Sequence, residues 1–511
     1  MLAKTFTCGL DGVNGYPVEV EDYISGGMVN FEIVGLPSAA VKESRDRIRA
    51  AITVSGLAFP FGKVTVNLAP ADVKKEGTAF ELAIAMALLS AKEPERFRDL
   101  NQTVFLGELS LQGKLMPIRG ALGMVITAAE RGFRNVVLPA QNAQEAASID
   151  HIRVIPADNL RAVYEHMTGE SPLAPCPHIP YEALLGDAPI SHDMKYVKGQ
   201  PVARKALEVA AAGGHNLLMV GIPGSGKTML ARCLPGILPP LTYEEALETT
   251  LIHSAAGELG ENQGLLTERP FRSPHHNISM PAMIGGGAKA KPGEVSLAHN
   301  AVLFLDELPE FQRPTLEALR QPLEDGFVTI TRISGQSRYK CNCMLVAGMN
   351  PCPCGNYGSK KKRCTCTPTD IKRYLSKISG PLLDRIDIQV EMDAVSVSEI
   401  EASGEQENSL TVRKRVLLAR KRQQDRYQGQ GIYCNAQLDQ RGVEEYCKLS
   451  PQAKQLLLQA VERFAISMRA YGRIRKVALT IADLNGHDHI EVPDVAQAIQ
   501  FRNLEGKVLG A

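Results

Sequence analysis

The spacing of apolar side chains divides the chain into zones. In residues 1–168, Val64-Thr-Val-Asn-Leu68 alternates apolar and polar positions like a half-buried strand. Val104–Leu109 and Asn135–Leu138 also read as strands with Gly or Pro punctuation nearby, while Phe80–Ser90 predicts a buried helix. This mixture predicts a compact α/β domain. Residues 169–189 open on GESPLAPCPHIP, with four prolines and no period, which predicts a stiff linker. In residues 190–395 strands alternate with helices, the pattern of a parallel sheet covered by helices. Residues 396–511 are helical in period. Gln452–Phe464 and Ala470–Leu484 are the clearest helices, Asp494–Phe501 is a short last one, and the acidic stretch Glu401–Ser409 reads as loop. No internal repeat is visible.

Composition changes this picture little. A chain of 511 residues holds about three domains at roughly 100–200 residues each. The net charge of +1 gives no global pull toward nucleic acid, so any basic surface must be local. The N-terminus lacks the apolar run of a secretory leader, and no stretch is long and apolar enough for a membrane span. A cytoplasmic location is therefore expected. In such a reducing compartment the 11 cysteines read as packing residues, metal ligands or reactive thiols rather than disulfides.

The chemistry begins at Asn216-Leu-Leu-Met-Val220, a short strand running into Gly221-Ile-Pro223-Gly224-Ser225-Gly226-Lys227-Thr228 and then a helical segment. This is G-x-x-x-x-G-K-[ST] in the strand–loop–helix setting that gives the motif meaning. Gly221, Gly224 and Gly226 let backbone N–H groups turn inward around phosphates, and the following helix adds its positive end. Lys227 reaches the outer phosphates of ATP, and the Thr228 hydroxyl coordinates Mg²⁺. Downstream, the apolar run Ala301–Leu305 ends in Asp306 and Glu307, as expected of a central strand with carboxylates at its carboxyl end. Asp306 is expected to hold Mg²⁺ through water and Glu307 to polarise the attacking water. A further strand, Met344–Met349, ends at Asn350, placed to orient that water or touch the γ-phosphate, or else to cap a turn.

Cys352-Pro-Cys354 is followed, after nine intervening residues, by Cys364-Thr-Cys366. Two such pairs can bring four thiolates around a tetrahedral Zn²⁺. Between them, Ser359-Lys360-Lys361-Lys362-Arg363 forms a basic tip that suits phosphate contacts or is simply solvated. Cys341 and Cys343 read as packing residues or weak spare ligands. Adjacent His275 and His276 rarely both bind one ion, so a structural or polar-contact role is favoured.

This arrangement resembles the AAA+ ATPases, in their magnesium-chelatase-like branch, and within it the ComM (YifB) family. The resemblance spans essentially the whole chain and is most specific at PFRSPHHNISMPAMIGGG (270–287), PGEVSLAHNAVLFLDELPEF (292–311), NPCPCGNYG (350–358) and SGPLLDRIDI (379–388). It implies an α/β AAA+ core over 190–395 with a helical lid over 396–511. Arg385 looks like an arginine finger reaching the ATP of a neighbouring subunit, which implies a ring, by analogy a homohexamer. Arg469 looks like the lid arginine that contacts the γ-phosphate, with Arg473 one turn on as its alternate. The branch carries pore-lining insertions. One candidate is the stretch from about Leu259 to Lys291. The other is the hairpin-like Gly326–Lys340, where Arg332, Arg338 and Lys340 could meet DNA phosphates and Tyr339 could stack on a base. ComM-like proteins are DNA motors that drive branch migration during natural transformation.

Residues 1–168 also resemble the Lon protease domain, whose fold is shared with small-subunit ribosomal proteins, at Asn67–Gly77 and Gly113–Gly120. Lon-type peptidases need a serine activated by a lysine. Where that serine falls this chain has Ala79, and where the lysine falls it has Leu122. A protease-like fold without peptidase activity is therefore expected. Two rival functions remain: a protein-remodelling or protease-partner ATPase, and a magnesium-chelatase motor subunit, which resembles only the middle and C-terminal zones.

Overall fold

The first strand-forming residues pair at once into a hairpin. In the computed structural model, which describes residues 1–28, 30–186, 190–287, 291–332, 335–359, 362–394, 406–464 and 466–502, β1 (Leu2–Asp11) and β2 (Asn14–Ser25) run antiparallel. They turn through Gly12, whose φ of 62° suits a residue without a Cβ. Next come β3 (Asn30–Val34), β4 (Lys63–Ala69), β5 (Thr103–Phe105), a small ladder of β6 (Glu108–Leu109) with β7 (Leu115–Met116), then β8 (Asn135–Pro139) and β9 (Arg153–Ala157). The main sheet has the order β3-β4-β2-β1-β5-β8-β9. Helix Glu81–Ser90 is apolar on nearly every side and buried, as its sequence predicts. It shares a core with Val20, Val66, Ile48 and Phe105.

Two compact units result. One comprises Met1–Gly186 with Thr242–Thr267 and Thr331–Tyr339, and the other Asp187–Leu241 with Glu268–Ile330 and Lys340–Ala511. The proline-rich segment is thus part of the first unit up to Gly186. Its backbone N–H groups at Cys176 and Ile179 donate to the carbonyls of Val154 and Ala147. Helix Tyr243–Ala256, expected in the ATPase core, also belongs to this unit: Gly120 N–H donates to the Ser254 carbonyl, and the Ser254 hydroxyl donates to Glu145 at 2.5 Å.

The second unit is built on five parallel strands. They are β10 (Leu217–Gly221), β11 (Phe271–Arg272), β14 (Val302–Leu305), β17 (Met344–Met349) and β18 (Ile388–Met392), in the order β11-β14-β17-β10-β18. A two-residue ladder, β12 (Gly285–Gly286) with β13 (Lys291–Pro292), completes the strands of this unit, and β15 (Phe327–Arg332) pairs with β16 (Gly335–Lys340) in a separate hairpin. Residues of β10, β14 and β17 are buried throughout, because helices cover both faces. Leu217 and Val346 pack in one cluster with Val416 of helix Ser409–Arg426 and Ile474 and Ala478 of helix Met468–Asn485. The helical C-terminal zone and the sheet therefore share a core. No helix among the described residues is long and apolar enough to cross a membrane.

The inward face of β2 reads Val18, Val20, Asp22, Ile24. Asp22 is fully buried, and neither carboxylate oxygen has a hydrogen-bond partner. Burial pushes its carboxyl well above the ordinary carboxylate range. The folded chain therefore holds a proton there that the unfolded chain releases near pH 4. Stability from this group is full below that pH and is lost as pH rises toward the folded pKa. Asp22→Asn should flatten that fall and stabilise the protein at neutral pH by about 1–3 kcal/mol. Urea denaturation at pH 5 and pH 8 measures it; an unchanged pH slope would contradict the assignment.

Candidate functional site

Because β17 lies between β10 and β14, three adjacent strands deliver their carboxyl ends to one edge. β10 leads into the phosphate loop, where Gly224 and Gly226 have φ of 80° and 93°. Gly221 has no room for a side chain, since a Cβ there would lie 2.6 Å from the Met392 carbonyl oxygen across the β10–β18 ladder. The short helix Lys227–Arg232 follows.

The Lys227 ammonium donates to the carbonyls of Gly221 and Ile222 (2.7 and 3.1 Å) and to Asn350 Oδ1 (3.2 Å). Burial pulls its pKa down, and the carboxylates of Asp306 and Glu307 push it back up. The Thr228 hydroxyl donates to Asp306 Oδ2 at 2.7 Å, so a hydroxyl and a carboxylate converge where a magnesium ion bridging phosphates would sit. Asp306 also accepts the Glu307 backbone N–H at 3.0 Å. Glu307 adopts a left-handed φ of 53°, uncommon for a residue with a Cβ, and its side chain is 55% exposed. The structure thus gathers Lys227, Thr228, Asp306 and Asn350 into one bonded cluster, with Glu307 next to it and open to water. Ser225 is buried within the loop.

Three further contacts shape this edge. His276 Nδ1 lies 3.5 Å from Glu307 Oε2, and its ring is tilted 33° against that of His275 with centroids 4.1 Å apart. Gly348 leaves room for Asp306, whose Oδ1 would be 3.0 Å from a Cβ there. The buried Tyr374 hydroxyl accepts the Asn350 backbone N–H, and burial pushes its pKa up.

The arginines lie elsewhere. Asn216, at the amino end of β10, donates through Nδ2 to the Arg385 carbonyl at 2.8 Å and accepts the Leu345 N–H at 2.8 Å. Arg385 therefore sits at the amino edge of the sheet, roughly 15 Å of strand away from the phosphate loop. Its guanidinium is 14% exposed, donating to the Pro381 carbonyl at 2.7 Å and pairing with Glu324. Arg469 is at the same edge, 74% exposed and 3.8 Å from Asp384. Neither joins the Lys227 cluster of its own chain. Arg473, the alternate lid arginine, is committed to Asp387, which also accepts the Asn216 N–H at 3.2 Å. Burial alone would raise the Asp387 carboxyl; Arg473 and His215 outweigh it and hold it well below the usual carboxylate range.

The four cysteines do meet. Cys352 Sγ lies 3.4 Å from Cys354 Sγ and 3.7 Å from Cys364 Sγ, Cys354 and Cys364 are 3.6 Å apart, and all four sulfurs fall within 4.8 Å of one another. Tetrahedral zinc–thiolate bonds of about 2.3 Å put sulfurs about 3.8 Å apart, so the cluster fits one such ion. Cys341 is buried with its thiol pushed up by burial, a packing residue. Lys362 and Arg363 are exposed; Lys360 and Lys361 lie outside the described residues. The expected hairpin forms as β15 and β16, but only the backbone of Arg332 is described. Tyr339 is 3% exposed, so its ring is interior and not offered to a base, and that expectation is corrected. At the Lon-like positions, Ala79 and Leu122 are both buried, and the Thr78 hydroxyl pairs with Glu108.

Arg473→Ala would leave Asp387 buried without its cation. A loss of about 3–5 kcal/mol in the stability of the sheet-and-lid unit is expected. The Asp387 contribution is present above the ordinary carboxylate pKa and is lost as pH falls, so the deficit should shrink in acid. Chemical denaturation at pH 7 and at about pH 2.5, below the ordinary carboxylate pKa, checks both; a loss below about 1 kcal/mol at pH 7 would contradict the pairing.

Three families match successive parts of the chain. They are described as subunit ChlI of Mg-chelatase over residues 20–142, magnesium chelatase subunit ChlI over residues 193–400, and the ChlI C-terminal region over residues 406–502. YifB of Salmonella typhimurium is 42% identical over 507 residues, covering 99% of this chain and 97% of that protein. Competence protein ComM of Haemophilus influenzae is 40% identical over 504 residues, covering 98% and 97%. A Lon protease of Mycoplasma mycoides is 25% identical over 163 residues, covering 29% of this chain and 20% of that protein. With identity of this level along the full length of both chains, and a phosphate loop, acidic pair and lid on one frame, the chain belongs to the ComM/YifB family of magnesium-chelatase-like AAA+ proteins.

Proposed function

We propose that the protein is an ATP-driven, ring-forming DNA translocase that promotes branch migration when incoming DNA recombines. The observation that carries the ATPase part is the bonded cluster Lys227–Asn350 and Thr228–Asp306 with Glu307 beside it. Gly221, Pro223, Gly224, Ser225 and Gly226 shape the phosphate cradle. Mg²⁺ bound to Thr228 and Asp306 would neutralise charge on the phosphate oxygens. Glu307, exposed and held out by its left-handed backbone, takes the position of the group that orients and deprotonates the attacking water. Asn350 pins Lys227 and faces the same space.

Among the described residues, no arginine is bonded to this cluster. Arg385 and Arg469 stand together at the opposite sheet edge, near Asp384 and Glu324, where they can serve only the site of an adjacent subunit. A closed ring, by analogy a homohexamer, satisfies every site in this way. For the load, support comes from the relative named for competence and from the basic residues Arg338 and Lys340 on the hairpin and Lys362 and Arg363 on the cysteine loop. Arg332, Lys360 and Lys361 belong to the same stretches. The four cysteines hold a structural Zn²⁺. The protein acts in the cytoplasm, where that DNA is processed.

The local Lon similarity favours a second reading, a protein-remodelling ATPase. Buried Ala79 and Leu122 at the dyad positions offer neither nucleophile nor base, so no peptidase activity is expected under either reading.

The test is ATP-dependent strand displacement on a labelled branched DNA. Wild-type protein should unwind it. Glu307→Gln should bind ATP yet lose hydrolysis by about 10²-fold or more, and unwinding with it. ATP hydrolysis without displacement would remove DNA as the load and bring protein remodelling forward, and a Glu307→Gln variant that turns over normally would remove Glu307 from its role.

A further inference from the structure

The cysteine loop is joined to the nucleotide site by more than sequence. Asn350, which holds Lys227, stands two residues before Cys352. Gly355, the residue after Cys354, has a φ of 76° and lies against the phosphate loop: a Cβ on it would be 2.6 Å from Cδ and 2.7 Å from Cγ of Pro223, and 3.9 Å from Asn350 Cγ. Gly355 is therefore in van der Waals contact with the proline ring through its bare Cα, and a side chain would drive the two loops apart.

Little besides the sulfurs organises this loop. Between Met349 and Pro368 the described residues form no helix or strand. Three internal bonds meet the cysteines: Gly355 N–H donates to the Cys352 carbonyl at 2.9 Å, Tyr357 N–H to Cys352 Sγ at 3.3 Å, and Asn356 Nδ2 to the Cys354 carbonyl at 3.1 Å, while a turn at Ser359 adds Ser359 N–H to the Asn356 carbonyl and Lys362 N–H to Ser359 Oγ. Cys352 is fully buried, whereas Cys354, Cys364 and Cys366 are partly exposed. A loop that buries so little apolar surface cannot hold one conformation against its own entropy unless it is stapled, and metal binding then supplies the ordering energy.

We propose that this knuckle is a metal-locked brace on the phosphate loop: Zn²⁺ on Cys352, Cys354, Cys364 and Cys366 holds Gly355 against Pro223 and thereby sets the affinity for ATP. The inference rests on the nucleotide and zinc readings above and adds a coupling that neither contains. Loss of the ion frees Gly355, and Pro223 with its left-handed neighbour Gly224 loses a wall. ATP must then order the loop as it binds, which costs affinity. The knuckle stays a positioning element, since none of its sulfurs touches the Lys227 cluster.

The experiment uses the full chain and reads binding rather than turnover. Zinc per chain is measured by elemental analysis, and the Kd of a fluorescent ATP analogue is measured on protein as purified, after chelation and after zinc is restored. Chelation should weaken binding about tenfold, the cost of re-ordering about one backbone residue, and restored zinc should reverse it. Gly355→Ala leaves all four thiols in place. It should retain zinc yet bind the analogue about as weakly as the chelated wild type. Zinc bound, with affinity indifferent both to its removal and to Gly355→Ala, overturns the brace alone. Protein purified without zinc overturns the brace and the zinc reading together, and wild-type protein that binds no ATP analogue overturns the nucleotide reading as well.

Discussion

The hydrogen-bonded ladder that seats β17 between β10 and β14 is the constraint on which the rest depends. In a parallel sheet every strand points its carboxyl end the same way, so neighbours in space bring their following residues to one edge whatever their separation in sequence. Lys227 and Thr228, Asp306 and Asn350 follow strands far apart in the chain, yet Lys227 bonds Asn350 and Thr228 bonds Asp306 because β17 pairs with both of its neighbours over most of its length. A strand displaced by one position would separate Asn350 from Lys227 by about 4.8 Å more and break the cluster. The apolar continuity of the three strands is therefore the first requirement of the chemistry.

The same ladder also explains what the site lacks. Arg385 precedes β18 and so belongs to the amino edge, where Asn216 binds its carbonyl and Asp387 binds the backbone of β10 and Arg473 of the lid helix. The lid helix, Arg385 and the sheet are tied there by Asn216, Asp387 and Arg473. A rigid amino edge facing outward and a nucleotide cluster on the carboxyl edge are the two halves of a site that head-to-tail subunits would assemble.

The phosphate loop, the acidic pair and the cysteine spacing were legible in the sequence because each is a local pattern tied to a fixed chemistry, and each assembled where expected. The choice between Arg469 and Arg473 was not. One helical turn places both on one face, and what separates them is Asp387, 86 residues from Arg473. Helix Ser409–Arg426 escaped notice because its buried residues Val412, Val416 and Ala419 are scattered among basic side chains that themselves bond inward, as Arg426 does to Asp483. Thr242–Thr267 reads as ATPase core by position, but its attachment rests on contacts with residues distant in sequence, such as Ser254–Glu145 and Tyr243–Tyr181, which carry no periodic signature. Tyr339 illustrates the converse: an alternating strand does not say which face is covered.

The division of the site between two chains is tested most directly by mixing inactive subunits. Glu307→Gln lacks the group that activates water but keeps Arg385; Arg385→Ala keeps Glu307 but lacks the arginine. Each alone should be inactive in ATP hydrolysis while still binding ATP. Mixed in equal amounts, they form junctions in which an intact Glu307 faces an intact Arg385, and hydrolysis should return in part. Arg385→Ala subunits that hydrolyse ATP normally alone, or mixtures that stay as inactive as the separate variants although mixed rings form, would contradict a site shared between neighbours.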